Sequence, residues 1–111
     1  MIRAEKIELP YSFATALQVL AWGAHKNESP YSHRQIAEWC YRFWSEYTEA
    51  DAPSEIKKLL PILADVDDQW HLFLANSYSV LQLKGTDLDS IRLPEGWFER
   101  WLHNAWGGTP P

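Results

Sequence analysis

Residues 32–47 read Ser32-His33-Arg34-Gln35-Ile36-Ala37-Glu38-Trp39-Cys40-Tyr41-Arg42-Phe43-Trp44-Ser45-Glu46-Tyr47, and this stretch decides the fold class. Ser32 with Gln35 three positions on is a capping box, in which each side chain satisfies the other residue's backbone N–H at the start of a helix. Behind it, Ile36, Cys40, Phe43 and Tyr47 recur at 4-3-4 spacing, which is one face of an α-helix. Ala37, Tyr41 and Trp44 fall on an adjacent face, with Trp39 near the boundary. A helix this aromatic on two faces is either central to a core or buried on one side and used for binding on the other.

Working outward, the flanking segments repeat the helical period. Phe13, Leu17, Leu20 and Ala24 form a stripe that Ser12 can cap, and residues 27–30 end it. A third helix starts near Asp51-Ala52-Pro53, with Ile56, Leu59, Leu60 and Leu63 as its stripe. Pro61 lacks the N–H that would bond Lys57, so the segment is expected to kink or split there. A fourth helix runs from about Asp67 to Lys84, with Asp67 and Asp68 favouring its N-terminal dipole and Gly85 ending it. Trp70, Phe73, Leu74, Tyr78 and Leu81 make its apolar face. Trp70, Leu72 and Leu74, then Leu81 and Leu83, also fit two strands turning around Asn76-Ser77, so a short hairpin over 70–84 is the alternative. A fifth helix follows Pro94, with Phe98, Leu102 and Ala105 in one stripe and Trp97 and Trp101 beside it. The link before it offers Leu88, Ile91 and Leu93 for packing. The expected architecture is all-α: one domain over 1–106 of four to six helices in a bundle-like or orthogonal array, with a frayed tail at 107–111.

Composition agrees with a single core. The chain has 111 residues and 46% apolar content, and seven Trp, five Tyr and four Phe supply the bulk that closes a core in a short chain. The one cysteine, Cys40, cannot form an intramolecular disulfide, which points to a reducing compartment. The first ten residues carry charges and no apolar run of the signal-peptide kind, and no stretch approaches the roughly 20 apolar residues of a membrane span. A cytoplasmic protein with no membrane contact is the expectation.

Chemical motifs are few. His25, His33, His71 and His103 are not paired at metal-ligand spacing, and no further cysteine completes a zinc site. Asp68 and His71 resemble half of an acid-x-x-His metal motif present in one copy, which reads as a helix-capping acid followed by a surface histidine. Glu99 and His103 are an i,i+4 pair of the kind that supports a helix. Cys40 lies on an apolar stripe and reads as a small buried hydrophobe. No Gly-x-Ser-x-Gly elbow, Gly-x-Gly-x-x-Gly turn or P-loop occurs. Residues 32–39 resemble the first helix of a helix-turn-helix, but the helix continues through Trp44 without the turn glycine. The expectation is a chain without catalytic residues, cofactor or metal.

Charge carries the functional signal. The formal net charge is −5, and the segment 46–68 holds seven acids against two bases while the rest of the chain balances at eight of each. A phosphate backbone would be repelled there, which argues against nucleic acid, whereas a basic protein would be attracted. The expected docking patch is Glu46, Glu49, Asp51, Asp65, Asp67 and Asp68, flanked by Trp44 and Trp70, because large aromatics beside acids suit an interface centre with a charged rim. Small acidic inhibitors that mask a basic protein are similar in overall character, among them the immunity proteins that neutralise nuclease toxins. Two other readings fit the composition: a small enzyme or ligand-binding domain with a Trp-lined pocket, and a homodimerisation module built on the aromatic helix faces.

Overall fold

In the computed structural model, residues 6–25, 29–47 and 51–105 are described; Glu49 and the expected tail at 107–111 lie outside them. The elements are α1 (Phe13–Ala24), α2 (His33–Tyr47), α3 (Ser54–Ser77), α4 (Val80–Lys84), a 3-10 turn (Leu88–Ser90) and α5 (Glu95–Ala105). The fold is all-α, with no strand among the described residues. α2 packs along α3, α1 packs along α5, and the two pairs share one core.

The helix starts form as the sequence dictates. The Ser12 hydroxyl accepts the Thr15 amide at 3.2 Å. Ser32 and Gln35 close their capping box, with the Ser32 amide on Gln35 Oε1 at 2.8 Å and the Gln35 amide on Ser32 Oγ at 3.1 Å. The Ser32 hydroxyl also donates to Asp89 Oδ1 at 2.7 Å. Arg34 grips the same carboxylate through two N–H groups at 2.8 and 3.1 Å. Arg34 and Ser32 together hold the Asp89 carboxyl below the usual carboxylate range, and they tie the 3-10 turn to the start of α2.

α3 departs from expectation. It runs unbroken through Pro61, where the sequence suggests a kink or a split. Pro61 is exposed, so its missing N–H falls on the solvent side of the helix. On the opposite side Ile56, Leu59, Leu63, Val66 and Trp70 are all buried in one stripe that spans the proline. Burying five large side chains at roughly 1.5–3 kcal/mol each outweighs a proline cost of about 3 kcal/mol. Pro61→Ala should therefore raise stability. The restored propensity of about 3 kcal/mol, less about 1 kcal/mol for a looser unfolded chain, leaves about 2 kcal/mol. A urea midpoint that stays or falls in that variant would show that α3 relies on the proline.

Continuity through Pro61 moves Asp67 and Asp68 from an expected helix start to the middle of α3. Asp51 is exposed and stands before Pro53, which occupies the N-cap without any side-chain cap. The hairpin over 70–84 does not form. Tyr78 is extended, and Ser79 then opens α4 with its own capping box, the Ser79 amide bonding Gln82 Oε1 at 2.7 Å and the Gln82 amide bonding Ser79 Oγ at 3.1 Å. A local cap thus decides the break that periodicity alone does not show. Leu81, expected on the apolar face, is 79% exposed, and Val80 is 71% exposed.

Two further devices position the helices. The N-terminal segment crosses α2, where Trp39 Nε1 donates to the Leu9 carbonyl at 3.2 Å and Arg42 donates to the Ile7 carbonyl at 3.0 Å. Tyr11 closes this edge against the Trp39 and Phe43 rings, at 5.7 and 5.2 Å between centroids. At the other pair, Gly23 of α1 is buried directly against Phe98 of α5, and a Cβ there would overlap the Phe98 ring. Only glycine allows that approach.

His33 joins these parts. It is fully buried and stacks on Phe98 with ring centroids 4.5 Å apart. The Leu93 amide can only donate, so Nδ1 accepts it at 2.8 Å, and the ring proton sits on Nε2 and is donated to the Gly23 carbonyl at 3.0 Å. One neutral imidazole thereby links α1, α2 and the strand-like approach to α5. Burial, with Arg92 nearby, pushes its pKa down to about 4.

Candidate functional site

Tyr41 and Trp44 are three residues apart on α2, so they project on the same side of the helix, with ring centroids 6.0 Å apart. That side faces α3, where Ala64, Asp67, Asp68 and His71 recur at helical spacing and point back towards α2. The small Ala64 side chain leaves an open groove between the helices. One stretch of it, about 310 Å³, is lined by Tyr41, Trp44, Ala64, Asp67 and Asp68. It continues into a second stretch of about 350 Å³ lined by Glu38, Tyr41, Arg42, Asp67 and His71. Tyr41 and Asp67 belong to both stretches, which makes them the centre of the groove.

The electrostatics favour a cation. Burial pushes the Asp67 carboxyl above its usual range; His71, 3.3 Å from Oδ1, opposes this, and the neighbouring Asp68 adds to it. A half-buried carboxylate beside a like charge is relieved by any added positive group. Of the cationic side chains near the groove, Arg42 spends an N–H on the Ile7 carbonyl, and Arg34 pairs with Glu38 at 3.2 Å. His71 lies 3.3 Å from Asp67 Oδ1 at i,i+4 spacing.

The sequence-derived patch is only partly assembled. Trp44, Asp67 and Asp68 come together in the groove. Asp65 lies on the other flank of α3, where it accepts Trp101 Nε1 at 2.8 Å and Gln69 Nε2 at 3.4 Å. It lines a separate groove of about 280 Å³ with Gln69, Trp97, Arg100, Trp101 and Asn104. Trp70 is 3% exposed and belongs to the core, so it cannot flank a docking patch. Glu46 is exposed, and 100° per residue places it about 200° around α2 from Trp44. Asp51 is exposed in the link before α3. Tyr41, Ala64, Glu38 and His71 were not legible as site residues. Tyr41 shares a stripe with buried Ala37, and only its 49% exposure separates the two.

Cys40 is buried on the apolar face of α2, and burial pushes its thiol well above the ordinary range, which leaves it a packing residue. Among the described residues no group of three His, Cys, Asp or Glu side chains could hold a metal ion, and no helix is long and apolar enough to cross a membrane. No family model, curated protein or solved structure matches the chain.

Proposed function

We propose that the chain is a non-catalytic binding protein that docks a basic protein along the α2–α3 groove. The observation that carries this reading is the juxtaposition of two partly exposed aromatic rings, Tyr41 and Trp44, with the Asp67 and Asp68 carboxylates in one open groove. Aromatic anchors surrounded by charge are what a protein interface uses for affinity and orientation respectively. The charge distribution adds long-range attraction, since the segment 46–68 carries the whole net charge of −5. A cytoplasmic inhibitor that covers the phosphate-binding surface of a nuclease, in the manner of an immunity protein, is the finer form of this proposal. Its association is expected to be fast and to weaken with salt.

The test is charge reversal. Asp67→Lys combined with Asp68→Lys should weaken binding to the basic partner by about 100-fold, since close charge pairs at interfaces couple by several kcal/mol. Circular dichroism confirms that the variant is folded. Unchanged affinity would place the interface on another face.

A second reading rests on the α3–α5 groove, where Trp97 and Trp101 stand with Asp65, Gln69, Arg100 and Asn104 around about 280 Å³. The Trp97 indole beside four polar side chains offers a stacking surface and hydrogen-bonding groups to a small molecule. This reading requires ligand-dependent Trp fluorescence and a raised melting temperature, and a flat response across a metabolite panel removes it.

A further inference from the structure

We infer that the stretch of groove between Tyr41, Trp44, Asp67 and Asp68 is a receptor for one arginine side chain of the basic partner. The inference rests on the binding role proposed above and specifies what enters the groove. The two walls differ in chemistry: α2 contributes the Tyr41 and Trp44 rings, and α3 contributes the Asp67 and Asp68 carboxylates and the Ala64 methyl. A side chain that satisfies both walls must be flat enough to lie on a ring and must carry N–H groups at its edge for carboxylate oxygens. Guanidinium has both properties. An ammonium is a compact, strongly hydrated point charge, and it gives up more hydration on lying against the Tyr41 and Trp44 rings. The volume of about 310 Å³ accommodates a whole side chain with its aliphatic stem against Ala64 and the rings.

Charge complementarity supports a cation at this point on the protein. Asp68 is exposed and Asp67 is half-buried beside it, so two like charges share the α3 wall. The adjoining stretch of groove holds His71, 69% exposed and 3.3 Å from Asp67, and Arg42, which donates to the Ile7 carbonyl. An incoming guanidinium reaches both carboxylates and relieves their mutual repulsion, which His71 does only in part.

The experiment uses the full chain, labelled with ¹⁵N, and follows the tryptophan indole N–H signals. That of Trp44 is identified by its loss in Trp44→Phe. Three Gly/Ser peptides are titrated at low salt, carrying arginine, lysine or the neutral isostere citrulline at the same positions. The arginine peptide is expected to shift the Trp44 indole signal and to bind about 10- to 100-fold more tightly than the citrulline peptide, as loss of charge-assisted hydrogen bonds requires. The lysine peptide should bind more weakly than the arginine peptide. Asp67→Asn with Asp68→Asn should remove the Trp44 response while the remaining indole signals report an intact fold. Equal binding of lysine or citrulline peptides overturns the assignment of arginine. An arginine response at the Trp101 indole beside Asp65, with Trp44 unmoved, overturns the groove while leaving a basic partner in place. No response at any indole overturns the receptor, and the basic-partner reading then stands or falls on capture of the intact partner.

Discussion

Replacing His33 with alanine is expected to cost about 3–5 kcal/mol of stability, a large share of the roughly 5–15 kcal/mol that a domain of this size possesses. Two effects add. The imidazole is fully buried against Phe98, so its removal leaves a cavity between α1, α2 and α5. Its two nitrogens are the hydrogen-bond partners of the Gly23 carbonyl and the Leu93 amide, and each group left buried without a partner costs about 1–3 kcal/mol. Relaxation of the site recovers part of that sum. Urea unfolding followed by circular dichroism measures the loss. A change under about 1 kcal/mol would mean that the three helices are held together without this residue.

The second large effect is acid sensitivity. With its pKa lowered from 6.5 to about 4, His33 in the folded chain refuses a proton that the unfolded chain takes up. Its contribution to stability is complete above about pH 6.5 and is lost as pH falls towards 4, to the extent of about 3 kcal/mol at about 1.4 kcal/mol per pH unit. The structural reason is direct. A proton on Nδ1 faces the Leu93 N–H, and the resulting cation lies close to Arg92. Asp89, held down by Arg34 and Ser32, yields its contribution only below the ordinary carboxylate range, so it does not account for a loss near pH 5. Asp67 has the opposite sign: its raised pKa favours the folded state as acid is added just above that range. The comparison that isolates His33 is therefore with His33→Gln, in which the slope between pH 6.5 and 4 should flatten. An identical slope in both proteins would assign the acid sensitivity to other groups.

How much of this was legible in the sequence depends on whether the deciding interaction is local. Capping boxes are local, and Ser32 with Gln35 announces α2 correctly. The stripes of α2 and α5 are equally local, and Ile91 and Leu93 are buried in the link before α5; on α1 the buried residues are Ala16, Val19, Leu20 and Gly23, so of its expected stripe only Leu20 is buried. α3 is not. Whether a helix survives an internal proline depends on what its opposite face buries, and the α2–α3 contact that supplies that burial is tertiary. The misplacement of Asp67 and Asp68 follows from that point, since a segment expected to kink or split at Pro61 leaves room for a new helix start at Asp67.

The site shows the same division. The charge of the segment 46–68 is visible in the sequence, but its acids are dealt onto different faces once α3 is continuous. Asp65 bonds Trp101 on one flank, Asp67 faces Tyr41 on the other, and Trp70 between them is core. Composition supplies the charge on which the proposal of a basic partner rests, and only the fold separates the carboxylates that share a groove from those that merely share a segment. His33 left no sequence signal at all. Its two hydrogen bonds reach 10 and 60 residues along the chain.

The central claim, a basic protein docked on the α2–α3 groove, is tested most directly by paired capture from a lysate of the source organism. Tagged wild-type chain and the Asp67→Lys, Asp68→Lys variant are washed in parallel at low and high salt, and retained proteins are identified by mass spectrometry. One stoichiometric basic protein is expected on the wild type, held at low salt, thinned at high salt and missing from the variant. The bare chain under every condition, or the same protein held equally by the variant, would contradict it.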